Sequence, residues 1–184
     1  LVDKNIHLFN YKLTKSFIDS FGDSPLEQAL ESLGVNEKVL SFIAEKIHIN
    51  VIDHVNSVHP VKNINSLANI KQKKIILSNS IDEFILEALK KWNISFFQEV
   101  YGCERFVRKY DMFVKILKKY KVHANEVLYV GDRPIDVKLA RKVGCKCVII
   151  SNKASWSSLN NIIASEPDFI IHDLKDLVHI VNTL

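Results

Sequence analysis

The chain is short of the residues from which several kinds of site are built. It has five glycines in 184 residues and no G-x-G-x-x-G run, so it offers no glycine-rich loop to cradle a nucleotide phosphate. Its three cysteines, Cys103, Cys145 and Cys147, are odd in number and lack zinc-like spacing. That argues against a disulfide framework and against a cysteine-built metal centre. No two of the seven histidines stand four residues apart, so no helical ligand pair is offered. No apolar run approaches the ~20 residues of a spanning helix, and no membrane partner is expected. Neither sign of charge dominates: 25 Lys and Arg face 21 Asp and Glu, a net +4. Lysines such as Lys115, Lys118, Lys119 and Lys121 lie on a helix face without interleaved arginines and aromatics, so no nucleic-acid partner is expected either. Internal repeats and low-complexity segments are absent. Free thiols suit a reducing compartment, and the expected location is the cytoplasm.

What the chain does have is a regular alternation from Lys74 onward. Ile75-Ile76-Leu77 is a short apolar run. Ser80-Ile81-Asp82-Glu83 reads as a capping box, followed by a helix with Phe84, Ile85, Ala88 and Leu89 on one side. A strand is expected within Ile94 to Val100, then a helix carrying Phe113, Ile116, Leu117 and Tyr120. The run Val127 to Val130 is the next strand. Pro134 fits a first helical position, Val137, Ala140 and Val143 repeat every third residue, and Gly144 can stop that helix in a left-handed conformation. Cys147 to Ile150 and Phe169 to Ile171 are further apolar runs, and Asp173 can cap a final helix. Cys145 and Cys147 alternate at the start of their strand, so both point the same way as small core residues.

Strands alternating with helices imply an α/β fold with a Rossmann-like parallel sheet and helices on both faces. Residues 10–59 differ. Ser24-Pro25-Leu26-Glu27 is a second capping box, Gly34 ends its segment, and Asn36 can cap a further helix with Val39, Leu40, Ile43 and Ile47. The expected organisation is a core formed by 1–9 and 60–184 and a small helical subdomain at 10–59. The 184 residues suffice for both.

Ligands of parallel α/β sheets bind beyond the carboxyl ends of the strands. There the sequence places Ser78 and Asn79 after one strand, and Asp132 after Gly131 at the end of another. Asp136 follows one helical turn later. Two carboxylates at one strand end suit a hard cation such as Mg²⁺, which in turn suits phosphate chemistry. The same residues also fit a plain turn with a first-turn acid.

These segments resemble the haloacid dehalogenase superfamily of phosphohydrolases. Lys74 to Ser80 is similar to its second motif, an apolar strand ending in Ser or Thr. Gly131-Asp132 with Asp136 is similar to its fourth motif, and Val137 to Cys145 to the helix and glycine that follow. The match covers residues 60 to 184, and the 10–59 segment sits where the family inserts a helical cap. The third motif is a lysine. Lys109-Tyr110-Asp111 resembles the usual Lys-Pro-Asp, with Tyr110 in place of proline; Arg105 and Arg108 compete for the role. The first motif, Asp-x-Asp-x-Thr on the central strand, does not occur in the chain. Leu1-Val2-Asp3 resembles the residues that follow it.

The resemblance implies a phosphatase-type hydrolase that acts on a small phosphorylated metabolite through an aspartyl-phosphate. Ser78 and Asn79 would bind the phosphoryl group and Lys109 would neutralise it. Asp132 would hold Mg²⁺, with Asp136 as a further ligand or as the group orienting Lys109. The attacking aspartate is expected upstream of Leu1, so this chain by itself is expected to be inactive, with a gap in its sheet. The alternative implied by the missing motif is a catalytically silent binding or regulatory relative.

Overall fold

A computed structural model describes residues 55–184 apart from 154 and 156, together with residue 52. The expected cap at 10–59 therefore lies outside the described residues, except for 52 and 55–59. Residues Val55–Ser57 form a 3-10 turn. The segment after it is fastened by Trp92, whose Nε1 donates to the Val58 carbonyl at 3.1 Å. Lys91 Nζ donates to the Asn56 carbonyl at 2.6 Å.

Among the described residues from 55 onward, five strands and five α-helices alternate. They are β1 (Ile75–Leu77), α1 (Asp82–Lys91), β2 (Glu99–Tyr101), α2 (Lys109–Tyr120), β3 (Leu128–Gly131), α3 (Pro134–Val143), β4 (Lys146–Ile150), α4 (Leu159–Ala164), β5 (Phe169–Ile171) and α5 (Leu174–Thr183). Every described strand pair is parallel, as the helical crossovers require. Among the described residues the strands form two sheets: β1 pairs with β2, and β3, β4 and β5 pair in that order.

β4 organises the packing. Its side chains alternate between two apolar clusters. Cys147 and Ile149 join Phe113, Val137, Leu139, Ala140 and Ile162 on the face covered by α2, α3 and α4. Val148 joins Leu67, Ile70, Ile171, Leu174 and Leu177 on the face covered by α5 and the 3-10 helix Ile64–Asn69. Helices thus cover both faces, as the unalternating apolar runs implied. Leu77 of β1 packs on the first cluster, and Phe96 and Phe97, in the segment that leads into β2, pack on the second.

The helix ends follow their local sequence in most places. Pro134 opens α3 and Gly144 closes it at φ 90. The Asp173 side chain accepts from the Lys175 amide at 3.0 Å to cap α5 and binds Asn63 Nδ2 at 2.8 Å, tying that helix to the turn before Ile64. These two bonds, the amide first, hold the Asp173 carboxyl below its ordinary value.

Two expectations need correction, and one element had not been expected. β2 is Glu99–Tyr101, shorter and later than Ile94 to Val100. Helix α4, capped by the Ser158 hydroxyl accepting from the Asn161 amide at 3.3 Å, was not anticipated. The box at Ser80 does not form: α1 starts at Asp82 after Ile81, without a side-chain cap at that position. The Asp82 amide donates instead to Glu104 Oε1 at 2.7 Å, a partner 22 residues away.

Candidate functional site

The loops that leave the carboxyl ends of β1 and β3 carry the polar residues of interest. Ser78 is half-buried. Its amide continues the strand ladder by donating to the Tyr101 carbonyl at 3.0 Å. Its hydroxyl accepts from the Ser80 amide at 3.1 Å, which curls the chain through Asn79 into a tight turn.

At the end of β3, Gly131 leaves room for Asp136 to fold back. A Cβ on Gly131 would fall on the Cβ and carboxyl carbon of Asp136. The folded-back carboxylate accepts from the amides of Asp132 at 3.1 Å and Arg133 at 3.0 Å. Its other oxygen accepts from the Tyr129 hydroxyl at 3.2 Å. Asp136 is only 5% exposed. It is the reaching-back acid at the third position of α3, and its oxygens shape the loop that presents Asp132.

Asp132 keeps the more open position. It is half-buried and lines an open pocket of about 280 Å³ with Val61, Val130, Gly131, Ile150, Asn152 and Ser155. Burial raises its carboxyl above the ordinary value, and repulsion from Asp136 adds to that. Arg133, its own backbone amide and Lys109 pull in the other direction. The far wall of the pocket is set by Ser155, whose Oγ accepts from the Asn152 amide at 2.8 Å and donates to the Ile150 carbonyl at 3.2 Å. This wall had no signal in the sequence pattern.

The three basic candidates separate clearly. Arg105 is engaged with the Asp82 carboxylate. Arg108 pairs with Asp111 at 2.7 Å on the surface. Lys109 is 6% exposed at the first position of α2, and its charge acts on Asp132. A buried ammonium at the positive end of a helix is doubly disfavoured, by desolvation and by the dipole. A nearby carboxylate compensates for both.

The structure therefore brings Lys109, Asp132 and Asp136 into one electrostatic neighbourhood. It places Ser78 and Asn79 at the corresponding end of a strand in the adjacent sheet. The donors there are oxygens, which fits a hard cation. Asp132, with its ionised form disfavoured by burial and by a second carboxylate, is the group a cation would relieve. Among the described residues no three His, Cys, Asp or Glu side chains are grouped to hold a metal by themselves. No described helix is long and apolar enough to cross a membrane.

A phosphoglycolate phosphatase of Vibrio parahaemolyticus is 29% identical over 110 residues, 58% of this chain and 47% of that protein. The chain spans about half the length of the curated relatives it matches. Among solved structures, a hydrolase from Pseudomonas syringae superposes with a TM-score of 0.76 at 14% identity, covering 96% of this chain and 85% of its own. An L-2-haloacid dehalogenase from Xanthobacter autotrophicus superposes with a TM-score of 0.57 at 21% identity, covering 86% and 73%. These likenesses speak to the fold. The sequence profile of haloacid dehalogenase-like hydrolases matches residues 4–150, most of the chain, and the protein belongs to that family.

Proposed function

We propose that the protein is a phosphatase-type hydrolase of small phosphorylated metabolites. The observation that carries this reading is the buried Lys109 acting on Asp132 at the rim of a parallel sheet. A lysine whose charge acts on a carboxylate there, at the same end of the strands as a hydroxyl-bearing turn, suits a multiply charged phosphate better than the single carboxylate charge of a halogenated acid. The name shared by the Vibrio relatives makes 2-phosphoglycolate the first natural substrate to assay.

In this reading Ser78 donates its hydroxyl proton to a phosphoryl oxygen, and the Asn79 amide assists. Lys109 neutralises negative charge on the transferring group, an effect that is large because its surroundings exclude water. Asp132 is the residue that would hold Mg²⁺. Bound there, the cation would screen repulsion between an anionic nucleophile and an anionic phosphate. Asp136 acts through Asp132, by fixing the two amides that shape its loop.

The reaction also needs an attacking carboxylate, an aspartate that the family would place on a strand between β1 and β3; among the described residues β1 and β3 each pair on one side only, which leaves room for such a strand. The attack forms an aspartyl-phosphate, and a second acid two residues on protonates the leaving group.

The test uses the full-length protein as its gene encodes it. That protein should hydrolyse p-nitrophenyl phosphate only with Mg²⁺, and Lys109→Met should lower kcat/KM by about 10²–10³-fold. A cation-independent loss of halide from a halogenated acid would favour a dehalogenase. Absence of turnover from a full-length protein that carries an Asp-x-Asp-x-Thr segment would favour the silent relative.

A further inference from the structure

The turn after β1 and the loop after β2 are bound to each other well beyond the strand pairing. The Cys103 amide donates to the Ser80 carbonyl at 3.0 Å. The Gly102 amide and Arg105 Nε donate to the two oxygens of Asp82, and Glu104 accepts from the Asp82 amide at 2.7 Å. Asp82 is 9% exposed. Gly102 is required by the close approach, because a Cβ there would collide with the backbone nitrogen of Asp82.

Starting a helix does not require this. A Ser, Thr, Asn or Asp at the cap position does so with one local bond, and Ser80 stands close by unused for that purpose. Burying a carboxylate is costly unless it is paired and hydrogen-bonded. Here the partners all come from the neighbouring loop, so what is fixed is the position of one loop relative to the other. The loop that is fixed begins at Ser78.

We propose that Asp82, with Gly102 and Arg105, is a positioning residue that sets the height of the Ser78–Asn79 turn above the sheet. The inference rests on the phosphate-binding reading of Ser78. Asp82 touches no reacting atom. It works by holding the Ser78 hydroxyl where a phosphoryl oxygen must lie, and a displacement of ~1 Å there is enough to cost up to about 10²-fold in rate.

The test is a double-mutant cycle in the full-length protein with p-nitrophenyl phosphate and Mg²⁺. Asp82→Asn keeps an acceptor for the Gly102 amide but loses the charge that holds Arg105. It should lower kcat by about tenfold, with a smaller change in KM. In a Ser78→Ala background the same substitution should have less than about a twofold effect, since the group being positioned is gone. Arg105→Ala, at a half-exposed residue, serves as the second variant should Asp82→Asn not fold, and Arg105→Lys should recover part of its loss. Full multiplication of the Asp82 and Ser78 effects, or no effect of either loop variant, overturns the positioning role and leaves the phosphate site standing. A Ser78→Ala protein with wild-type kinetics removes the phosphate site itself, and the positioning role with it.

Discussion

Val130 and Val148 are the same residue, paired in register on adjacent strands β3 and β4. Yet Val130 is 38% exposed and Val148 is fully buried. Paired residues of a parallel ladder share a face of the sheet, so the difference does not lie in side-chain chemistry or local conformation. It lies in the neighbours. β4 has a strand on each side and a helical layer on each face. β3 has one paired strand among the described residues, and Val130 opens onto the pocket beside Asp132. The two strands divide the labour of the fold: β4 supplies cohesion, and β3 supplies an accessible rim that its loop must hold in place.

That division can be broken experimentally. The largest effect is expected at the rim loop. Gly131→Ala would displace Asp136, strip two backbone amides and the Tyr129 hydroxyl of their acceptor, and lower unfolding free energy by about 3 kcal/mol. Urea titration measures it; a loss under about 1 kcal/mol would mean that β3 is not held by its loop. Next is the paired substitution. Val148→Ala should cost about 2 kcal/mol, whereas Val130→Ala should cost less than about 0.5 kcal/mol. Equal losses would show that β3 is as enclosed as β4.

The smallest effect is at the thiols. Burial pushes Cys145 up to about 11 and Cys147 up to about 12 from an ordinary 9.0. The folded state therefore favours the protonated thiols. Their contribution to stability is complete below pH 9.0 and declines as pH rises toward 11 and 12, by at most about 1.4 kcal/mol per pH unit for each. At pH 8 a thiol reagent should modify Cys103, which is partly exposed, and leave the other two until the protein unfolds. Fast labelling of all three would contradict the closed state of β4.

The sequence was most informative where a local rule acts alone. Pro134 and Gly144 bound α3, Asp173 caps α5, and the apolar run at 147–150 is the central strand of its sheet. It was least informative where a distant group replaces the local one. Ser80 has the right chemistry to cap α1, but Glu104 takes that role from 22 residues away. Helix α4 is only six residues long, too short for a helical period to repeat, so periodicity gave no sign of it. In the candidate site, the strand ends and the polar residues after them were legible because an apolar run that stops at polar residues marks where a buried strand ends. The division of roles between Asp132 and Asp136 was not, because it depends on which carboxylate folds over Gly131.

The chain's pattern of apolar runs and breakers determined by itself the α/β alternation, the parallel pairing and the end of the sheet at which polar groups gather, since strand and helix periods and turn chemistry are local properties. Only the tertiary structure decided which strand is buried and which forms the rim, which base among Arg105, Arg108 and Lys109 stands near Asp132, and which carboxylate is spent on the loop. Those outcomes depend on burial and on charges meeting across tens of residues, and neither is a property of any short stretch of chain.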